Sequence, residues 1–268
     1  MENAIPYDRV NILMIADIIG SSGFEAVRKH LPELKRQYRI HLTVANGENA
    51  AHGKGLSPKA VGSFFEIGIN VITSGNHIWN QKSILPALEE NRFVLRPVNY
   101  PPGCPGRGAC EVEIVHGLTA AVMNLQGRSF MYPIDCPFRT ADEEIERLHA
   151  RGIRIILVDF HAEATAEKAA LGYHLDGKVS AVVGTHTHVQ TADERILPGG
   201  TAFITDIGMS GPVDSVIGMD IETAKLRFLT QIPVPYRMSA SESSCCGAIV
   251  QVDSASGKAV SIDRFQFR

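Results

Sequence analysis

At 268 residues the chain is long enough to bury one sizeable core, and its 44% hydrophobic and 21% charged content matches folded globular proteins, which excludes disordered and fibrous classes. A formal net charge of −3, with no run of lysines and arginines, gives no electrostatic footprint for duplex nucleic acid. No apolar stretch reaches the ~20 residues that span a bilayer, Met1 to Val10 lacks the pattern of an export signal, and the five cysteines (Cys104, Cys110, Cys136, Cys245 and Cys246) show no CxxC spacing, so a cytoplasmic setting without disulfides is expected.

Residues 1–10 are expected to form a flexible N-terminal extension to a single domain covering 1–268. Short β-branched runs bounded by Gly, Asn or Asp then predict buried strands at Asn11 to Ala16, His41 to Ala45 and Val71 to Ser74. Between and after them, helical spacing recurs at Phe24 to Tyr38, Lys59 to Ile67 and Ser83 to Glu90, a β-α-β-α-β series suited to a parallel sheet covered by helices. Pro101 to Arg107, rich in Pro and Gly, breaks this rhythm. Glu111 to Val115 and Thr119 to Asn124 then read as a hairpin around His116 and Gly117, and a second sheet is expected to start here. Further strands are predicted at Arg154 to Phe160, Ala181 to Gly184 and Ala202 to Thr205, with helices at Ala141 to Ala150 and Glu163 to Tyr173. Asp206 to Asp220 reads as a loop at the mouth of a site or at a subunit contact. Gly247 to Val252 and Ala259 to Phe267 alternate as a closing strand pair.

The polar residues collect where strands end. Asp17 follows the first strand, Asn46-Gly47-Glu48-Asn49 the second and Gly75-Asn76-His77 the third; His161 and Gly184-Thr185-His186-Thr187-His188 follow two later ones. Each segment alone is an ordinary turn, an Asx cap or a hydrogen-bonded histidine. Parallel strands, however, open their carboxyl ends into one crevice, so five such segments are expected to converge. Two carboxylates, two carboxamides and three imidazoles without a thiolate suit Mn, Fe, Zn or Ni, and seven donors exceed what one catalytic ion uses. Two metals sharing a carboxylate fit the count, and such a pair activates water and clamps the oxygens of an in-line attack at phosphorus.

These residues strongly resemble the calcineurin-like metallophosphoesterases. The stretches Asn46 to Gly55, Ser74 to Trp79, Asn124 to Arg128, Asp159 to Thr165 and Val183 to Asp193 are similar, more narrowly, to the YmdB branch of bacterial phosphodiesterases related to proteins acting on cyclic nucleotides. The resemblance implies an α/β fold, a layered α/β/β/α sandwich of two mixed sheets flanked by helices. It implies two divalent or trivalent transition-metal ions, one on Asp17, Glu48, Asn49 and His188 and the other on Glu48, Asn76, His161 and His186. The superfamily's Asp-x-His is Asp17-Ile18-Ile19 here, with Asn49 in the missing imidazole's place, and its bridging Asp is Glu48. Oxygen-rich ligation favours Fe or Mn, with Zn also allowed. His77 would protonate the leaving oxygen of a phosphodiester, such as a 2',3'-cyclic nucleotide, attacked by a metal-bridging hydroxide. An imidazole titrating near neutral pH suits that role on its own chemistry. His52 and Arg128 are weaker candidates for substrate contacts. A phosphomonoesterase, a nuclease, or a metal-dependent regulatory protein without turnover stays open as an alternative, as does a homo-oligomer.

Overall fold

A computed structural model describes residues 7–268. In chain order its elements begin with β1 (Arg9–Ile15), β2 (Asp17–Ile18), α1 (Gly20–Gln37), β3 (Ile40–Asn46), α2 (Pro58–Glu66), β4 (Val71–Thr73) and α3 (Leu85–Glu90). Next come β5 (Ala109–Val115), β6 (Leu118–Gln126), α4 (Pro137–Ala150), β7 (Ile155–His161), α5 (Thr165–His174) and β8 (Ala181–Thr185). The last are β9 (Arg195–Ile196), β10 (Ala202–Ile204), β11 (Met209–Pro212), α6 (Ile221–Thr230), β12 (Ser243–Asp253) and β13 (Ala259–Phe267).

The strands form two mixed sheets. A seven-stranded sheet runs β2-β11-β12-β1-β3-β4 with β13 paired to β12, and a six-stranded one runs β5-β6-β7-β8-β10-β9. β1, β3 and β4 are parallel in the first sheet, as are β6, β7, β8 and β10 in the second. The hairpin expected in the middle of the chain is the antiparallel pair β5 and β6, and the closing pair is β12 and β13.

Strand periodicity explains why the early runs are apolar throughout. Ile12 and Met14 face the second sheet, packing in one cluster with Val122, Leu157 and Val183. Their neighbours Leu13 and Ile15 point the other way, into a cluster with Val27 and Leu31 of α1 and Phe64 of α2. On the far side of the second sheet, Met123, Val158 and Val182 pack with Ile145 of α4 and Leu171 of α5. A strand buried on both faces has no polar position to spare, and the outcome is the expected α/β/β/α layering.

Three details depart from the sequence expectation. α1 starts at Gly20 instead of Phe24, and its first turn includes Gly23, which lies against the Ser210 carbonyl of β11, where a Cβ would collide. That approach docks the first turn. Arg9 and Val10, placed in the extension, belong to β1: Val10 is fully buried and pairs with Val252, while residues 1–6 of the extension lie outside the described residues. Asp206 to Asp220 contains a short strand, β11, which pairs with β2 and β12, and so is not purely a loop. Among the described residues no helix is long and apolar enough to cross a membrane.

Candidate metal centre and active site

The carboxyl ends of the parallel strands of both sheets meet at one edge of the sandwich. β1 leads through Ala16 to Asp17, the first residue of β2, β3 delivers Glu48 and Asn49, and β4 delivers Asn76 and His77; from the second sheet β7 ends at His161 and β8 leads into His186 and His188. Asp159 joins the sheets just behind this edge. Its carboxylate accepts from Asn46 Nδ2 at 2.9 Å and from the Thr73 hydroxyl of the first sheet, and from Thr185 Oγ1 at 2.7 Å in its own.

At the centre of the cluster, His161 Nε2 lies 3.0 Å from Glu48 Oε1, 3.0 Å from Asn76 Oδ1 and 3.0 Å from His186 Nδ1. The partners of the other ring nitrogens settle which atoms are free. The Thr185 hydroxyl hydrogen goes to Asp159, so Thr185 Oγ1 accepts from His161 Nδ1–H at 2.9 Å. Likewise, His186 Nε2 sits 3.1 Å from the Glu163 carboxylate, which takes its hydrogen. Each imidazole therefore turns a lone pair inward, the arrangement by which outer carboxylates and hydroxyls orient metal-binding histidines.

Four acceptors facing one another need a cation between them. Ligands bonded at about 2.1 Å and set at right angles lie about 3.0 Å apart, the spacing found here. The donor set thus fits a transition-metal ion, and Glu48, His161 and His186 offer three ligand atoms within 4.8 Å of one another. Two further buried oxygens, Asp17 Oδ1 and Asn49 Oδ1, have no hydrogen-bond partner. Asn49 is held by its amide, whose Nδ2 donates to the Gly53 carbonyl at 3.0 Å. Orphaned buried acceptors are costly unless something positive meets them. These are the oxygens a second ion would take, with His188, whose Nδ1 donates to the Ile217 carbonyl at 3.0 Å and so leaves Nε2 free.

The electrostatics agree with that demand for positive charge. Burial opposes charge on His161, yet with no ion between the acceptors Glu48 and Asp17 push it up to about 9, so that a proton on Nε2 stands where a cation would bind and must leave when one does. Glu48, despite its own burial, is drawn down to about 2 by His161, and burial raises Asp17 to about 6. Burial and the neighbouring His161 push His186 down to about 3, which keeps it a neutral donor.

The segment carrying His186 and His188 is bent. Both have positive φ, 95° and 64°, a conformation that non-glycine residues adopt rarely and at a cost. Asp206 holds it in place: its Oδ2 accepts from the Thr187 backbone N–H at 3.1 Å and the Thr187 hydroxyl at 2.6 Å, and pairs with the fully buried Lys168 at 2.8 Å. On the other side, Asp17 Oδ2 accepts from the His186 backbone N–H at 3.1 Å.

A cavity of about 350 Å³ opens over the cluster, reaching Glu48, Asn49, His77, His186 and His188. His77 is fixed through its backbone N–H to Glu48 Oε2 at 3.1 Å, and burial lowers its imidazole below the ordinary value. Lys54, Arg227, Ile217 and Tyr236 also line this cavity. His52 instead lines a separate cavity with Gly20 and Met238, and its φ is positive at 55°. Arg128 does not line the cavity over the cluster; the Glu167 carboxylate captures the backbone N–H groups of Arg128 and Ser129. Sequence reasoning passed over Asp159, Thr185, Glu163, Asp206 and Lys168. Of these, Asp159 and Glu163 flank His161 within one short stretch, and acidic residues beside a candidate ligand are the signal available.

Known proteins place this geometry in a family. The sequence matches the YmdB-like protein family over residues 13–265. It is 49% identical over 255 residues to a 2',3'-cyclic-nucleotide 2'-phosphodiesterase of Bacillus subtilis, covering 95% of this chain and 96% of that one. The crystal structure of a hypothetical protein from Thermus thermophilus is similar with a TM-score of 0.90 and 41% identity, covering 96% of this chain and 99% of the other. That of a novel phosphatase from Mycoplasma pneumoniae is similar with a TM-score of 0.90 and 33% identity, covering 97% and 93%. Shared along nearly its whole length with these relatives, the chain belongs to the YmdB-like family.

Proposed function

We propose that this protein, as one metallophosphoesterase domain, is a phosphodiesterase that opens 2',3'-cyclic nucleotides with two metal ions. The protein is a phosphoesterase, as its relatives from Bacillus subtilis and Mycoplasma pneumoniae are by name. The observation that carries the finer reading is the convergence of His161 Nε2, Glu48 Oε1, Asn76 Oδ1 and His186 Nδ1 at 3.0 Å spacings beside two orphaned oxygens. Glu48, Asn76, His161 and His186 would hold one ion, and Asp17, Glu48, Asn49 and His188 the other. Bound there, the ions supply a nucleophilic oxygen at neutral pH and neutralise charge on the phosphoryl group. Iron or manganese suits this oxygen-rich set, with zinc allowed.

The chain's own residues do the rest. Asp159 and Glu163 keep His161 and His186 in the tautomers that present lone pairs. His77 gives a proton to the departing sugar oxygen, whose bond to phosphorus breaks as the new one forms. Lys54 and Arg227, lining the same cavity, attract the substrate's negative charge. A cytoplasmic setting and a small nucleotide as substrate complete the reading. The test is a substrate panel of 2',3'-cyclic AMP, p-nitrophenyl phosphate and single-stranded RNA with metal-reconstituted protein. Fastest hydrolysis of the cyclic diester, giving the 3'-monophosphate, supports the proposal; preference for the monoester or for RNA replaces it with a phosphatase or nuclease.

A further inference from the structure

The cavity over the cluster has a second character that the phosphoryl chemistry does not use. Beyond its imidazoles and carboxylates, it is lined by the apolar side chains of Val216, Ile217, Met219 and Phe228 and by the Tyr236 ring. Two of these are displayed openly: Phe228 is 71% exposed and Ile217 is 53% exposed. Phe228 stands on α6, a helix whose only buried side chain is Ala224, so the ring contributes little to the core.

Ile217 is held there at a cost. Its φ of 47° is an outlier for a β-branched residue, and strain of this kind persists only where the surroundings impose it. The carbonyl of the same residue accepts from His188 Nδ1. One strained residue thus ties an apolar wall to the imidazole at the floor. Tyr236 is anchored similarly, its ring against Gly53, whose carbonyl orients Asn49, with Lys54 Nζ 5.9 Å from the ring centroid.

We infer that this wall is a stacking subsite for the substrate's nucleobase, with Phe228 as its principal contact, favouring nucleotides over diesters without a base; the inference rests on the phosphodiesterase reading. A cyclic nucleotide has an anionic end and a flat π-surface, and the cavity offers cationic Lys54 and Arg227 for the one and apolar side chains for the other. Since Val216, Ile217, Met219 and Phe228 offer apolar surface and no strong donor or acceptor, this wall meets the face of the base and not its edge. Purine and pyrimidine substrates are then both accepted, because every base has a π-face.

The experiment compares kcat and KM for 2',3'-cyclic AMP, 2',3'-cyclic CMP and glycerol 1,2-cyclic phosphate, which has the diester but no base, across wild type, Phe228→Ala and Phe228→Trp. Stacking predicts that Phe228→Ala raises KM for both nucleotides about fivefold or more with kcat nearly unchanged, leaves the glycerol ester unaffected, and that Phe228→Trp restores the wild-type values. Equal losses on all three substrates, or no change on the nucleotides, would overturn the subsite while leaving the phosphodiesterase reading intact. A wild-type protein inert on every cyclic diester would overturn both.

Discussion

The Thr185 hydroxyl donates to Asp159 Oδ1 at 2.7 Å, and by doing so presents its oxygen to His161 Nδ1 at 2.9 Å. One hydroxyl thereby passes the orientation of a carboxylate fixed between two sheets on to the imidazole at the middle of the cluster. Thr185→Val keeps the shape and deletes the relay. It is expected to weaken metal binding by about 10- to 100-fold, read by competition with a chelator, while the fold persists by circular dichroism. Unchanged affinity would remove Thr185 from the account.

Gly75 lies against His161 and Glu48, so that a Cβ at this position would collide with both side chains. Gly75→Ala is expected to cost about 100-fold in kcat/KM by displacing the ligands, since sub-ångström positioning carries such factors. Metal content and turnover measured together check this, and near-normal activity would show that the cluster tolerates displacement.

Lys168 and Asp206 form an ion pair that is 1% and 0% exposed. Lys168→Met leaves a buried carboxylate uncompensated and should destabilise by about 3–5 kcal/mol, whereas Lys168→Met combined with Asp206→Asn should recover part of the loss. Chemical denaturation of the three proteins tests the ordering. The double variant is still expected to bind metal poorly, because Asp206 is what fastens Thr187 between the two histidines.

Asp193 titrates low even though burial opposes this, because Thr191 and Thr205 donate hydroxyls to it and Thr205 a backbone N–H. A carboxyl whose folded pKa lies below its unfolded one stabilises the protein above the ordinary value of 3.8 and loses that contribution as pH falls through the folded value. Asp193→Asn should therefore lower Tm by a few degrees at neutral pH. Melting curves of the two proteins should converge as pH falls through the lowered folded value; a constant gap would mean that the charge is not the cause.

Much of this was legible in the residues. Strand runs such as Ile12 to Ile15 are apolar on both faces because both faces are covered, and such runs locate the sheets without ambiguity. Polar residues at the ends of such strands had to converge, which is how Asp17, Glu48, Asn76, His161 and His186 come to one edge. What stayed hidden depends on long-range partners. Nothing near Gly20 signals that a helix starts there, and the Ser210 carbonyl on which the first turn rests at Gly23 is remote in sequence. Lys168 reads as a surface lysine of an amphipathic helix until Asp206 is found beneath it. Ile217 has no local sign of its positive φ either, and the partner of its carbonyl, His188, lies 29 residues away in sequence.

The central claim joins a two-metal site to proton donation by His77, and one measurement addresses both. Wild type, His77→Ala and His188→Ala are reconstituted with manganese or iron, metal content is determined on each, and hydrolysis of bis(p-nitrophenyl) phosphate is followed together with that of 2',3'-cyclic AMP. The account predicts two metals and turnover for wild type, two metals with kcat lowered about 100-fold or more on the cyclic nucleotide for His77→Ala, and a weakened second metal for His188→Ala. A wild-type protein that binds two metals but hydrolyses neither substrate, or a His77→Ala protein as active as wild type on the cyclic nucleotide, would contradict it.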